Sequence, residues 1–155
     1  MIKALLFDFS RTLLFPKDVN YRGELNSLYR KLIQDPKFDF LSNYQLNEEM
    51  LIYLGNLKVK YKLYVFTSGS IQDAPEIRER VGEVFEKVFS GEEMMISKKE
   101  PESYKKIAEL IGLPVSDILF IDDSPVNVQA AGIAGLSAVQ YKDNKSLMNY
   151  IDSLE

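Results

Sequence analysis

The chain contains no cysteine and no histidine. Without cysteine there are no disulfides, thiolate metal sites or cysteine nucleophiles, and the composition fits a reducing compartment. Without histidine, serine–histidine catalysis and histidine–zinc sites are excluded. Proton transfer then falls to carboxylates, lysine or tyrosine. No apolar run approaches membrane-spanning length. The N-terminus enters an apolar run at once, with no basic segment ahead of it, so no signal peptide is expected. The net charge of −4 offers no broad nucleic-acid-binding face. The expectation is a soluble, cytoplasmic protein with neither a membrane nor a nucleic-acid partner.

What is present fits one compact domain over residues 1–155, with 46% apolar residues to fill a core. Short apolar runs recur at Ile2–Phe7, Leu63–Phe66, Val84–Phe89, Ile118–Ile121 and Ala138–Tyr141. Segments of helical period separate them. Near-continuous apolar strands alternating with helices predict an α/β fold, a five-stranded parallel sheet covered on both faces. Leu25, Leu28, Tyr29, Leu32 and Ile33 fall on one helical stripe, which Pro36 ends. Asn47 is placed to cap the next helix, with Leu46 and Leu51 as a staple. Asp73 and Glu76 form a capping-box pattern around Pro75. Tyr104, Ile107, Ala108 and Ile111 make a further stripe that Gly112 and Pro114 stop. Ser124-Pro125 opens another helix that closes near Gly135, and Asp143 or Asn144 caps a last one. From Phe15 to Asn43 the β–α rhythm breaks. That segment, about residues 15–45, reads as a small helical insertion.

In an open parallel sheet, ligands bind beyond the carboxyl ends of the strands. Asp8, Ser10 and Thr12 follow the first apolar run. Thr67, Ser68, Gly69 and Ser70 follow the second. Lys98 and Lys99 lie beyond the third, and Asp122 and Asp123 follow the fourth. A parallel sheet brings these groups to one end. Asp8 with Asp122 or Asp123 suits a hard divalent cation such as Mg²⁺, which takes carboxylates, waters and a substrate phosphate oxygen. Lysine and hydroxyl groups suit the remaining phosphate oxygens. The cation screens the repulsion between an attacking carboxylate and an anionic phosphoryl group. Asp8 is then able to attack phosphorus.

These residues resemble the haloacid dehalogenase (HAD) superfamily along nearly the whole chain. Leu5-Leu6-Phe7-Asp8-Phe9-Ser10-Arg11-Thr12 is similar to its first motif, a hydrophobic run followed by Asp-x-Asp-x-Thr. Leu63-Tyr64-Val65-Phe66-Thr67-Ser68 resembles its second. Lys98-Lys99-Glu100-Pro101-Glu102-Ser103-Tyr104 resembles its third, with one proline replaced. Ile118-Leu119-Phe120-Ile121-Asp122-Asp123-Ser124-Pro125-Val126-Asn127 resembles its fourth, the most specific of the set. The resemblance implies a three-layer, Rossmann-like α/β/α fold with a reduced cap, and Mg²⁺-dependent hydrolysis of a phosphorylated small molecule or macromolecule. It implies that Asp8 is nucleophile and metal ligand, and that Ser10 supplies a backbone carbonyl to the metal. Thr67, Ser68 and Lys98 bind the phosphoryl group, Asp122 and Asp123 hold Mg²⁺, and Thr12 braces the nucleophile loop.

One departure limits this. Phosphatases of the superfamily carry an aspartate where Ser10 stands; it protonates the leaving alcohol and then activates water. A serine hydroxyl is too weak an acid or base for that, and losing such help costs about 10²–10⁴-fold. The expectation is a hydrolase with weakened or specialised turnover. The alternative is a catalytically impaired protein that binds phosphate, Mg²⁺ or a partner. The paired acids Asp122-Asp123 argue against a metal-free dehalogenase.

Overall fold

The computed structural model describes residues 1–154. Its elements in chain order are β1 (Ala4–Phe7), β2 (Leu14–Pro16), α1 (Leu25–Leu32), α2 (Phe40–Asn43), β3 (Tyr44–Leu46), α3 (Glu48–Leu57), β4 (Lys62–Thr67), α4 (Pro75–Val84), β5 (Lys87–Ser90), α5 (Gly91–Met94), α6 (Pro101–Ile111), β6 (Ile118–Asp122), α7 (Pro125–Ala134), β7 (Ser137–Gln140) and α8 (Asn144–Asp152). Five strands form one sheet in the order β5-β4-β1-β6-β7, with every neighbouring pair parallel. The chain leaves β1 toward β4 on one side and returns to β6 on the other. That reversal opens a crevice beyond the carboxyl end of β1.

Alternation along the strands divides the core in two. Leu5, Phe7, Leu63, Val65, Leu119 and Ile121 face one layer, with α3, α4 and α8. Ala4, Leu6, Tyr64, Phe66, Ile118 and Phe120 face the other, with α6 and α7. Both faces are therefore covered, which is why the strands read as unbroken apolar runs. The helix stops are local. Gly112 and Gly135 hold φ of 77° and 101°, a left-handed conformation that glycine adopts without a Cβ penalty.

Two local readings are corrected. The run Val84–Phe89 splits, because Ile77, Val81 and Val84 recur at helical spacing and extend α4; the strand starts only at Lys87. Ala74, not Asp73, is the residue before α4, and no side chain caps it; Pro75 at the first helical position has no N–H to satisfy. As the sequence suggests, Ser124-Pro125 opens α7, though the Ser124 hydroxyl makes no cap bond. Asp143 caps α8 through Ser146 N–H.

The segment that breaks the β–α rhythm is closed by an antiparallel ribbon pairing Leu14 with Leu46 and Pro16 with Tyr44. Within it Tyr29, Phe38, Phe40 and Tyr44 pack ring against ring, with centroids 4.9–6.5 Å apart. Two polar side chains tie it to the sheet. Arg11, held at φ 62°, donates to the carbonyls of Tyr21 at 3.1 Å and Gly23 at 2.7 Å. Asn26 accepts the N–H groups of Ser70 and Ile71, each at 3.0 Å.

Asn47 joins three parts of the chain. Its Oδ1 caps α3 by accepting Met50 N–H at 3.3 Å, and its Nδ2 donates to the Thr12 carbonyl at 3.0 Å and Asn144 Oδ1 at 2.8 Å. Losing an N-cap costs about 0.5–2 kcal/mol, and a carbonyl left buried without a partner costs about 1–3 kcal/mol more. Asn47→Ala is expected to lower unfolding stability in urea by about 2–4 kcal/mol. A loss below about 1 kcal/mol would mean that neither bond matters to folding.

Candidate active site

Asp8 stands one residue beyond β1. Its N–H donates to the Ile121 carbonyl at 2.8 Å, so the sheet itself fixes its backbone. The side chain is buried. Thr12 Oγ1 donates to Asp8 Oδ2 at 3.3 Å, and the Thr12 carbonyl is held in turn by Asn47. Asp122 ends β6, and Asp123 comes directly after it. Carboxylate oxygens of Asp8, Asp122 and Asp123 all lie within 4.8 Å of one another.

One ammonium sits among them. Lys98 is 6% exposed; it donates to Asp8 Oδ1 and, at 3.1 Å, to Asp122 Oδ2. Its neighbour Lys99 is exposed. Tyr104 Oη donates to the Lys98 carbonyl at 2.6 Å, which anchors the lysine loop to the start of α6. Burial first, then the charges of Asp122 and Asp8, raise the Tyr104 phenol far above its usual range, so it remains a donor. Asp122 is bonded through both oxygens. Oδ1 accepts Ser124 N–H at 2.8 Å, and Oδ2 also accepts Asn127 Nδ2 at 3.0 Å. The Ser124 N–H is thus satisfied by the strand end, and α7 starts from there.

Three carboxylates against one ammonium leave an excess of negative charge in a buried place. Burial raises the Asp8 carboxyl above its ordinary value; Lys98 opposes the rise and Asp122 adds to it. Asp123 is pushed up to about 8, by burial first and then by the charges of Asp8 and Asp122. Burial disfavours the charged form of Lys98, but Asp8 and Asp122 outweigh it and raise its pKa. A cluster of this kind is short of positive charge, and its free donors are all oxygen.

A cavity of about 170 Å³ opens above Asp8, bordered by Ser10, Thr67, Ser68, Lys98 and Asp123. Thr67 is buried and Ser68 exposed. Ser10 Oγ is buried and has no hydrogen-bond partner among the described residues, so position 10 carries a hydroxyl with no side chain there to exchange protons with. Four contributors escaped the sequence reading. Arg11 positions the insertion, Asn127 holds Asp122, and Glu24 and Asn26 line the cavity from the insertion side. Only Asn127, inside the fourth motif, carried a sequence signal. Gly69 needs no positive φ: a β-carbon there would collide with the side chain of Asn26.

The family model of haloacid dehalogenase-like hydrolases matches residues 37–135. The first-motif loop lies ahead of that stretch, and the fold delivers it to the same crevice. Enolase-phosphatase E1 of Aquifex aeolicus is 39% identical over 82 residues, 50% of this chain and 36% of that protein. The enzyme of the same name from Persephonella marina is 34% identical over 86 residues, 50% of this chain and 36% of its own length. The chain spans about a third of the length of these relatives, 36% in each case. A HAD family enzyme of Bacteroides thetaiotaomicron, crystallised with magnesium and inorganic phosphate, superposes with a TM-score of 0.73 at 20% identity, covering 95% of this chain and 99% of that one. A predicted HAD-like hydrolase of Porphyromonas gingivalis gives 0.71 at 17% identity, over 99% and 98% of the two chains. The family model covers more than half of the sequence, including three of the four strand ends that build the crevice, and the chain belongs to the haloacid dehalogenase-like hydrolase family.

Proposed function

We propose that this chain is a Mg²⁺-dependent phosphoryl-transfer hydrolase of phosphatase type that works through an aspartyl-phosphate on Asp8. The observation that carries this reading is the trio of buried Asp8, buried Asp122 and half-buried Asp123, with the Lys98 ammonium bonded to the first two. The donors are all carboxylate oxygens, the set is short of positive charge, and it suits a hard dication. Asp8, Asp122 and Asp123, with the backbone carbonyl of Ser10, are the groups to hold it. When bound, Mg²⁺ neutralises the charge that repels a carboxylate from a phosphoryl oxygen. A phosphate ester enters the cavity, with Lys98 and the hydroxyls of Thr67 and Ser68 on its phosphoryl oxygens. Thr12 keeps one Asp8 oxygen in place. The other attacks phosphorus, and the electron pair of the breaking P–O bond leaves with the alcohol.

Ser10 decides which substrates suit the site. Nothing at position 10 supplies a proton to the departing oxygen. Leaving groups that depart as stable anions, such as aryl or acyl phosphates, then react far better than alkyl phosphates. A cytoplasmic setting and an unaided, slow dephosphorylation step belong to the same reading. A second reading, a binding protein that has lost turnover, is favoured only by the partnerless Ser10 hydroxyl. No described helix is long and apolar enough to cross a membrane.

Ser10→Asp is expected to raise turnover of an alkyl phosphate by about 10²–10⁴-fold while changing aryl phosphate turnover much less. Asp8→Asn abolishes both activities in either background. Equal gains for the two esters, or activity that survives Asp8→Asn, would sink the assignment.

The trio also sets a pH dependence. The Asp123 carboxyl sits at about 8 when folded and at about 3.9 when unfolded. Between those values the native state binds more protons than the unfolded state, so stability falls as pH rises through the window. Asp8, also raised, acts in the same direction. In EDTA, the melting temperature is expected to decline from about pH 5.5 to about pH 8.5. Because protons compete for the same oxygens, Mg²⁺ raises the melting temperature more at the upper pH. A Mg²⁺ effect as large at the lower pH would show that the trio is not the cation site.

A further inference from the structure

One polar side chain in the cavity has no part in the mechanism above. Asn26, in the first turn of α1, is 4% exposed. The N–H groups of Ser70 and Ile71 both reach one atom of its amide, at 3.0 Å each. Two donors meeting one atom identify that atom as oxygen, so the amide nitrogen faces the other way. That nitrogen has no hydrogen-bond partner among the described residues, and Asn26 borders the cavity beside Thr67 and Ser68. The nitrogen is not sealed from solvent; it keeps access to the cavity that Asn26 borders, where a ligand oxygen can replace water on it. The surroundings keep it there. Gly69 alone leaves room for the amide, since any β-carbon at that position collides with it. The neighbouring carboxylate of Glu24 is taken up by Ser27 Oγ at 2.9 Å. Arg11 fixes the chain just ahead of α1 through the carbonyls of Tyr21 and Gly23.

We propose that Asn26 is a substrate-binding residue, its amide donating to a phosphoryl oxygen of the bound ester on the side away from the carboxylate trio. This rests on the phosphoryl-transfer reading of the cavity and goes beyond it, because it assigns the insertion a direct contact with the substrate. Thr67, Lys98 and Asn26 then offer donors from three separate elements, leaving the cation to the acidic side. The tie from Asn26 to Ser70 and Ile71 also means that the contact is built in, with no closure of the insertion required.

The test is calorimetric titration of inorganic phosphate into the Mg²⁺-loaded full chain. Asn26→Asp keeps the oxygen that accepts from Ser70 and Ile71 and replaces only the inward amide. Asn26→Ser removes the amide without adding charge. Both variants are expected to weaken phosphate binding by about tenfold or more, as a lost hydrogen bond to an anion does. The Asn26→Asp deficit is expected to persist at about 1 M salt, where the screening length is about 3 Å. Wild-type affinity in Asn26→Ser, or an Asn26→Asp deficit that salt abolishes, overturns the contact. If Lys98→Met and Thr67→Ala lose phosphate binding while both Asn26 variants keep it, the phosphoryl reading stands and Asn26 has no part in it. If the wild-type protein binds no phosphate, both readings fall.

Discussion

A single buried ammonium among three carboxylates organises this molecule. Lys98 bonds Asp8 at the end of β1 and Asp122 at the end of β6, so it joins two strands that are adjacent in the sheet but far apart in sequence. Desolvating such charges is costly unless each is paired. The pairing here is thorough for Asp122, which also takes Ser124 N–H and Asn127 Nδ2, and thinner for Asp8, which keeps one oxygen for Thr12 alone. Among the described residues no ammonium or amide bonds the Asp123 carboxylate, and burial first, then the charges of Asp8 and Asp122, raises its pKa. The rest of the architecture supplies what the cluster needs. The sheet fixes the backbone of Asp8, α7 starts from Asp122, and Tyr104 anchors the lysine loop.

The same imbalance connects structure to chemistry. Fewer positive than negative charges make a place where a hard dication and an anionic ester can sit together, each offsetting the other. The residue that departs from the family pattern lies outside this balance. Ser10 has no charge, and its hydroxyl has no partner among the described residues, so the cluster does not depend on it. Under the proposed function, that separation leaves binding and attack in place while the later step is slow.

Much of the fold and the site was legible in the sequence, for a physical reason. Both faces of the sheet are covered, so each strand is an unbroken apolar run, and the residues just past the end of a run mark the ligand-binding side. Asp8, Thr67, Lys98, Asp122 and Asp123 could be named from that rule together with the motifs. The misses share one cause: they depend on contacts between distant segments. Asn26 sits in a stripe whose leucines drew attention to the core, and only the fold shows its amide against Gly69. Arg11 gives no hint in sequence that it holds Tyr21 and Gly23. The ribbon of β2 and β3 is two three-residue strands, too short to display a period. The split of Val84–Phe89 was hidden because a valine suits the last turn of a helix and a strand alike.

The proposed chemistry rests on two positions: Asp8 as the nucleophile, and Ser10, where a slow second step is expected. The most direct measurement is acid quenching of the Mg²⁺-loaded protein during reaction with an aryl phosphate, then mass spectrometry of the peptide containing Asp8. The expected result is a phosphoryl group on Asp8, accumulating in the natural protein and depleted in Ser10→Asp. A phosphoryl group on Ser10 or Ser68, or product release from a protein that never carries phosphate on Asp8, would contradict it.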